Sequence, residues 1–338
     1  MNRGEWIVSM MLIAVFHLPQ VARALDRKAQ IEAEALIQHA RKLSDIRAVG
    51  SVPFHLQGRF RLQASPENPV EGTYTLDWVS PTRWREQLET SNFHEIEVGG
   101  SGKVWLLRST KYEPLVAYRV EDALSFYGRL TFRSGEVVTS LKRTNSSKVV
   151  CLKTRLNKWT KYSMCFDTDS GILVREEDPA SLATPSPVFE FRGYRPLGPH
   201  ELFPREISET EKGVVSLRVD IDALSELHEI RSSLFNPPAG AVERPGCQNP
   251  APPTGIKVTN PRYPESARKH HVQGIVSLSL FIDAGGTVQN LTVLRTPSPD
   301  LASTTVSTIR KEWKFKPAAC DGRSVPFDVL VETAFRIR

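Results

Sequence analysis

The chain has 338 residues, 40% of them hydrophobic and 24% charged, which is enough for one large domain or two ordinary ones. This composition excludes wholesale disorder. No run of 18 apolar residues occurs after residue 24, which excludes a polytopic membrane protein. Lysine and arginine number 44 against 38 aspartate and glutamate, and the resulting charge of +6 is too small to indicate nucleic-acid binding.

Residues 1–24 have the pattern of a secretory signal peptide. Arg3 supplies a positive start, Trp6 to Leu18 is mostly apolar, and Ala22-Arg23-Ala24 forms an A-x-A cleavage end. We therefore expect cleavage after Ala24 and export to the periplasm, an oxidising space in which disulfides persist. The alternative is an inner-membrane anchor formed by residues 6–22, which carry no charge.

The next part of the chain, residues 25–235, is predicted to be one helix followed by many strands. Ala33, Leu36, Ala40 and Leu43 fall on one stripe, which predicts a helix over residues 26–47. One long helix with meandering strands favours a curved antiparallel sheet, a half-barrel, wrapped round that helix. A second helix is predicted over 121–129, and alternation predicts strands over 73–78, 94–98, 102–106, 149–154, 161–167, 171–176, 188–194 and 214–220.

Several short motifs lie in this part: Phe60-x-Leu62, Gly72-x-Tyr74-x-Leu76, Pro81-x-Arg83-Trp84-Arg85, Gly102-x-Val104-Trp105 and Phe203-Pro204-Arg205. With these motifs the part resembles the LolA/LolB family of periplasmic lipoprotein carriers. The resemblance implies an apolar cavity between half-barrel and helix that is able to hold acyl chains. The candidate cavity residues are Phe60, Trp78, Trp84 and Trp105, and plain core packing is the alternative interpretation of their side chains.

Residues 236–253 are predicted to be a linker. Eight of the 24 prolines lie between Asn236 and Pro264, together with three glycines, a composition typical of an extended connector. Residues 25–253 hold 30 basic and 30 acidic side chains, whereas residues 254–338 hold 12 and 7. The basicity therefore belongs to the C-terminal quarter, where it forms either a solubilising surface or a surface for an acidic partner or membrane headgroups.

Residues 254–338 are predicted to be a small α+β unit with the order helix-strand-strand-helix-strand. Strands are predicted over 274–282 and 287–295, joined by the Asp283-Ala284-Gly285-Gly286 turn. Ser298 is a helix cap, with Pro299 and Asp300 suited to the first turn. Residues 324–338 alternate apolar and polar, and Pro326 near their start predicts an edge strand.

Spaced motifs accompany these elements: Tyr263-Pro264-x-x-Ala267-Arg268, Gly274, Asp283-x-x-Gly286-x-Val288, Trp313-x-Phe315-x-Pro317 and Phe335-Arg336. In these the unit resembles the TonB C-terminal domain. The resemblance implies a three-stranded sheet, with helices on one side, that captures a segment of an outer-membrane receptor as an added strand. The partner-binding candidates are Asn260, Arg262 and Tyr263 with the final-strand residues Val325, Phe327, Val329 and Val331; core packing is the alternative for Tyr263.

Four cysteines allow three disulfide connectivities. Cys151 and Cys165 are symmetric about position 158, which puts them opposite each other across a predicted hairpin. Cys247 and Cys320 both belong to the C-terminal region. The predicted pairs are therefore Cys151–Cys165 and Cys247–Cys320.

The sequence contains no motif for catalysis. The pairs His94-Glu95 and His228-Glu229 lack a second histidine four residues on, and there is no Walker loop, nucleotide-binding glycine motif or Gly-x-Ser-x-Gly elbow. We expect no catalytic residue, metal or cofactor. The favoured hypothesis is a periplasmic, non-catalytic, energy-transducer-like binding protein that docks to outer-membrane receptors or envelope partners by β-strand addition. The alternatives are a lipid or lipoprotein carrier tethered by the C-terminal unit, and an unrecognised periplasmic hydrolase.

Overall fold

The computed structural model describes residues 20–63, 69–100, 102–144, 148–156, 160–178, 187–245 and 251–337. The hairpin tip at 157–159 lies outside these residues, and so do residues 1–19 of the predicted signal peptide. None of the helices in the described ranges is both long and apolar enough to cross a membrane.

Two helices lie in the first part of the chain. Helix α1, Gln20–Ser44, corresponds to the predicted helix and turns Ala33, Ile37 and Ala40 into the core. Helix α2, Leu115–Leu124, begins after Pro114 and is followed by a 3₁₀ turn over Phe126–Arg129. The second helix therefore starts earlier than the predicted range of 121–129, because Val116, Ala117 and Val120 also supply its buried face.

In the described part of the chain, thirteen strands form one antiparallel sheet, in the order β15-β5-β4-β3-β2-β1-β14-β13-β10-β9-β8-β7-β6. A short pair, β11 (Arg195–Leu197) with β12 (Glu201–Phe203), lies apart from it. The strands of the large sheet are β1 Phe54–Gln63, β2 Pro69–Ser80, β3 Arg83–Thr90, β4 His94–Gly100, β5 Lys103–Arg108, β6 Val137–Thr144, β7 Val149–Arg155, β8 Lys161–Asp167, β9 Leu173–Glu177, β10 Val188–Arg192, β13 Glu206–Glu211, β14 Val214–Glu226 and β15 Val242–Pro245.

The predicted curved sheet with a packed helix is confirmed, and the space between them is filled by side chains. One continuous apolar cluster joins α1, α2 and the inner face of the sheet. Phe60 lies in this cluster against Gly72, where a Cβ atom would come 2.4 Å from the Phe60 ring. Packing this close leaves no room at Gly72 for any larger residue.

The hairpin of β7 and β8 contains the first predicted disulfide. Cys151 and Cys165 are direct register partners, and their sulfur atoms are bonded with the Cα atoms 4.0 Å apart. Cys247 lies outside the described residues, so its pairing with Cys320 stays a prediction.

The C-terminal module, residues 254–337, has the predicted order of main elements. Its three-stranded sheet has the order β18-β17-β22 and packs against α3 and α4. Ser298 caps α4 by accepting a hydrogen bond from the Leu301 amide, as predicted. The elements are β16 Thr254–Lys257, α3 Glu265–Lys269, β17 Gly274–Ile282, β18 Val288–Arg295, α4 Pro299–Glu312, β19 Lys314–Lys316, β20 Ala318–Cys320, β21 Arg323–Val325 and β22 Phe327–Phe335.

The final strand begins later than the predicted position, at Phe327. Val325 instead belongs to β21, which pairs with β20, and lies opposite Ala318. Asp321 and Gly322 both have positive φ angles, 49° and 77°, as a two-residue hairpin turn of the I′ type requires. The Asp-Gly turn pairs the start of the alternating segment with β20, and Pro326 divides the segment into a hairpin arm, β21, and a separate edge strand, β22.

The predicted linker does not remain a free connector. Its residues Val242–Pro245 form β15, which pairs with β5 from Val242 opposite Leu106 to Pro245 opposite Lys103. The chain thus adds a last strand to the large sheet before it enters the C-terminal module.

Candidate functional site

Strand β22 lies at the edge of the three-stranded sheet. It pairs with β17 from Phe327 opposite Ile282 to Phe335 opposite Gly274. Within the described residues no strand pairs with its other side. An unpaired strand edge presents backbone N–H and C=O groups that can accept a further strand.

The candidate side chains of β22 face the core of the module. Val329 and Val331 pack against its apolar cluster, while Leu330 and Glu332 alternate onto the outer face. Whatever these two valines contribute to binding therefore comes from their backbone. Glu332 on the outer face accepts a hydrogen bond from Ser277 Oγ at 2.8 Å.

The segment before α3 runs close to the end of β22. Tyr263 meets the Phe335 ring edge-to-face at 5.5 Å, and its hydroxyl donates to the Val272 carbonyl at 2.5 Å. Tyr263 thus has the packing role that was the alternative interpretation. Asn260 and Arg262, which shortly precede Tyr263 in the chain, are exposed to solvent.

The beginning of β22 is held by the first part of the chain. Asp328 Oδ2 lies 2.7 Å from Arg244 Nη1 and 3.5 Å from Arg108 Nη1. The Arg244 guanidinium lies over the Phe281 ring, and Tyr118 Oη is 3.5 Å from Ser279 Oγ. The outer face of the module's sheet is therefore docked on the N-terminal part.

Because of this junction, the side chains on the outer face of β22 are less exposed at the start of the strand than toward its end. The Asp328 side chain is 10% exposed, whereas the Glu332 side chain is 41% exposed. An added strand has free access to the outer face only toward the C-terminal half of β22.

Arg108 is the centre of the buried charge cluster at the junction. Its side chain is 6% exposed and pairs with Glu95, with Glu113 at 3.4 Å and with Asp328. Burial, and next the Glu95 carboxylate, raise the pKa of Glu113 to about 9. One oxygen of Glu113, Oε1, is buried and has no hydrogen-bond partner among the residues that the structure describes, which fits a carboxyl group that stays protonated.

Sequence reasoning did not find this cluster. It assigned Glu95 to the polar side of an alternating strand, yet Glu95 is buried at the junction. Asp328 follows Arg108 by 220 residues, and no local pattern connects two such positions. The available signal is Asp328, an acidic residue near the start of a largely apolar final strand.

A cavity of about 740 Å³ opens beyond the end of α1. Two of the four predicted cavity residues, Trp78 and Trp84, line it, whereas Phe60 belongs to the packed core and Trp105 is not among the lining residues. The other walls come from four places in the chain. The segment after α1 supplies Arg47 and Val49, and the 3₁₀ turn after α2 supplies Tyr127. The start of β5 supplies Lys103, and the β20–β21 turn of the C-terminal module supplies Asp321.

The polar wall of the cavity is fixed by hydrogen bonds. Arg47 Nη2 donates to Tyr74 Oη at 2.7 Å, and that hydroxyl donates to Glu86 Oε1 at 2.7 Å. Burial raises the pKa of Tyr74 well above its usual value, so the phenol stays neutral. On the apolar wall the Trp84 indole covers Gly99, where a Cβ atom would come within 2.2 Å of Nε1. The cavity is therefore lined by aromatic side chains and by charged side chains of both signs, Arg47 and Lys103 with Asp45 and Asp321.

Comparison with known proteins gives a match for each part of the chain. Residues 259–337 match the family model of the Gram-negative bacterial TonB protein C-terminal. No curated protein matches the whole sequence.

Solved structures similar to the chain include a LolA superfamily protein from Nitrosomonas europaea, 12% identical, with a TM-score of 0.40, covering 60% of this chain and 97% of that one. A DUF1329 family protein from Desulfovibrio piger is 7% identical, with a TM-score of 0.42, covering 61% of this chain and 96% of that one. At these identities the similarity concerns the fold alone.

The family model thus confirms the predicted resemblance of the C-terminal unit to the TonB C-terminal domain. The C-terminal family match supports an envelope binding or carrier protein, and the Cys151–Cys165 disulfide agrees with export to an oxidising compartment.

Proposed function

We propose that this chain is a non-catalytic periplasmic protein that docks to an outer-membrane receptor or another envelope protein by adding a partner strand to β22. The observation that supports this proposal is the position of β22 at the edge of its sheet. Strand β22 pairs with β17 along its whole length and has no second partner strand among the described residues. Backbone pairing supplies affinity in this mode of recognition, and pockets beside the strand supply specificity.

The C-terminal half of β22 is the proposed entry for the partner. The N-terminal part covers the outer face at Asp328, whereas the Glu332 side chain is largely accessible. In this proposal the exposed residues Asn260 and Arg262 provide polar contacts for the side chains of the added strand.

Proline substitution in β22 tests the proposal. We expect V329P or V331P to abolish binding of an extended peptide from a receptor, because proline cannot donate to a ladder and distorts the edge. The matched control is N290P in β18, the opposite edge of the same sheet, which should bind the peptide with unchanged affinity. Calorimetry measures the affinity, and the unfolding temperature identifies any variant that has lost its fold.

Two results would contradict strand addition. One is unchanged affinity in a folded β22 variant. The other is equal loss of affinity in folded N290P, because the peptide would then not discriminate between the two edges.

The cavity supports a second candidate function, a carrier of acyl chains. Its aromatic side chains Trp78, Trp84 and Tyr127 occur together with charged side chains such as Arg47, a lining that suits an amphiphile with a polar head.

Uptake of a fluorescent fatty acid tests the carrier function. We expect W84A to weaken uptake by about tenfold, since burial of one large apolar side chain contributes about 1.5–3 kcal/mol. The control W105A removes a half-buried tryptophan that does not line the cavity and should leave uptake unchanged. If the purified chain takes up no fatty acid and carries no lipid by mass spectrometry, the carrier function fails while strand addition is unaffected.

A further inference from the structure

The excess basic charge of the C-terminal module is concentrated at one place. Strand β16 pairs with β19 so that Lys257 lies directly opposite Lys314 and Thr254 opposite Lys316. Directly opposed residues of an antiparallel pair share a face, so these three lysines project together. Two further cations, Arg310 and Lys311, are exposed in the last turn of α4, just before β19.

Among the described residues, these five basic side chains have no acidic partner. Within the described parts of the chain no carboxylate lies within 4 Å of a side-chain nitrogen of the five, although Glu312 is close by in sequence. Like charges directly opposite each other in a β-ladder are destabilising. The Lys257–Lys314 pair is nevertheless held in place, because the Trp313 indole donates to the Thr259 carbonyl at 2.8 Å and fixes the chain just after β16.

Two aliphatic side chains are exposed among these cations. Ile256 occupies an irregular position between Gly255 and Lys257 and is 71% exposed. Val258 folds back over Gly255, where a Cβ atom would come 2.4 Å from Val258 Cγ2, and is still 54% exposed. The chain thus presents two apolar side chains to solvent on either side of Lys257.

We propose that this surface binds an anionic phospholipid bilayer. We call it the basic patch: Ile256, Lys257, Val258, Arg310, Lys311, Lys314 and Lys316. Phosphate-bearing headgroups offset the mutual repulsion of the lysines, and the two aliphatic side chains enter the interface between headgroups and acyl chains.

The composition of the basic patch favours a membrane over a protein partner. Protein interfaces are depleted in lysine and enriched in aromatic residues, methionine and arginine. The patch has the opposite composition, since four of its five cations are lysines and it contains no aromatic side chain. Residues 25–253 carry no net charge, so the attraction to an anionic surface comes from the C-terminal module.

Sedimentation of the full chain with vesicles tests the proposal. Vesicles of phosphatidylcholine with about a third phosphatidylglycerol are compared with vesicles of phosphatidylcholine alone at low salt. We expect K257Q/K314Q/K316Q to lower the partition coefficient on anionic vesicles by about a hundredfold, because each lysine near such a surface contributes about 1 kcal/mol. The matched control K142Q/K153Q/K161Q removes three exposed lysines from the N-terminal sheet and should change it only a few-fold.

A second variant tests the apolar part of the basic patch. We expect I256S/V258S, which leaves the charge intact, to bind anionic vesicles about tenfold more weakly, since the aliphatic side chains no longer leave water. Unchanged partition of this variant would overturn the membrane proposal.

Three other outcomes would also overturn it. These are equal effects of the two triple-lysine variants, equal binding to both kinds of vesicle, and tight binding of soluble polyglutamate without binding to vesicles. The last outcome would assign the basic patch to an acidic polypeptide. Unfolding temperatures of all variants establish that each compared chain is folded.

Discussion

Several charged residues at the junction between the two parts are buried. Arg108, Glu95 and Glu113 are each largely withdrawn from solvent, and Asp328 approaches them from the C-terminal module. Burial of a charge is costly unless partners surround it, and removal of one partner leaves the others uncompensated. The burial and the charge pairing of these residues therefore depend on an intact junction.

Glu113 gives the junction a dependence on pH. Its pKa is raised from 4.5 to about 9 in the folded chain, so the folded state holds this proton more tightly than the unfolded state. A raised pKa contributes stability that is complete below the unfolded value and is lost as the pH rises toward the folded value. The free energy of unfolding should therefore fall between about pH 5 and pH 9.

The variant E113Q should flatten that decline, because an amide stays neutral throughout. We expect the free energy of unfolding of E113Q to exceed that of the unmodified chain at about pH 8. The decline of this free energy with pH should be less steep by the equivalent of up to about one bound proton. Urea unfolding at several pH values measures this, with the exposed residue variant E229Q as control. Parallel curves for E113Q and the unmodified chain would show that Glu113 does not hold the proton.

Among the secondary-structure elements, the hairpin of β7 and β8 is the one whose cross-link was predicted from the sequence. Symmetry about position 158 was sufficient, because a hairpin of fixed register pairs residues at equal distances from its turn. The final strand was predicted as an edge strand but with too early a start. Its alternation was read through Val325 to Phe327, although Val325 ends β21, which pairs back on β20 across the Asp321-Gly322 turn, and Pro326 separates β21 from β22.

Removal of the Cys151–Cys165 disulfide should destabilise the chain by about 3 kcal/mol, the loop-closure contribution of a ring of this size. The bridge joins residues 14 positions apart. The variant C151A/C165A is compared with the unmodified chain by urea unfolding under non-reducing conditions. Equal midpoints and slopes would mean that the bridge does not form in the exported protein.

At the scale of the whole molecule, the two parts are joined in more than one way. Strand β15 is the last strand of the large sheet, and its Arg244 reaches Asp328 at the start of β22. The β20–β21 turn of the C-terminal module contributes Asp321 to the wall of the cavity. The edge strand β22 and the cavity are therefore both in contact with the two parts of the chain.

The variant D328N should loosen the junction between the two parts. An amide cannot neutralise Arg108 and Arg244, and a hydrogen bond to a charged group contributes about 1.5–3 kcal/mol. We expect faster amide hydrogen exchange in Val242–Pro245 and Phe327–Phe335. The control D169N breaks an ion pair with Lys148 whose two side chains are exposed, and such pairs contribute little. Identical exchange in D328N and the unmodified chain would show that Asp328 does not hold the junction.

The sequence by itself determined the local elements of this protein and its two resemblances. Periodicity defined α1, the β7–β8 hairpin and the strand–turn–strand of β17 and β18, because these patterns depend on residues a few positions apart. Ser298 and the Asp283 turn could be read for the same reason.

Only the tertiary structure decided where the sites lie. It paired β15 with β5, placed the cavity beyond α1 instead of beneath it, and buried Glu95 against Arg108. It also brought Lys257 opposite Lys314 across 57 positions of sequence. Such contacts depend on burial, charge pairing and chain reversal over long separations, and a sequence pattern records none of these because its signal extends over only a few neighbouring residues.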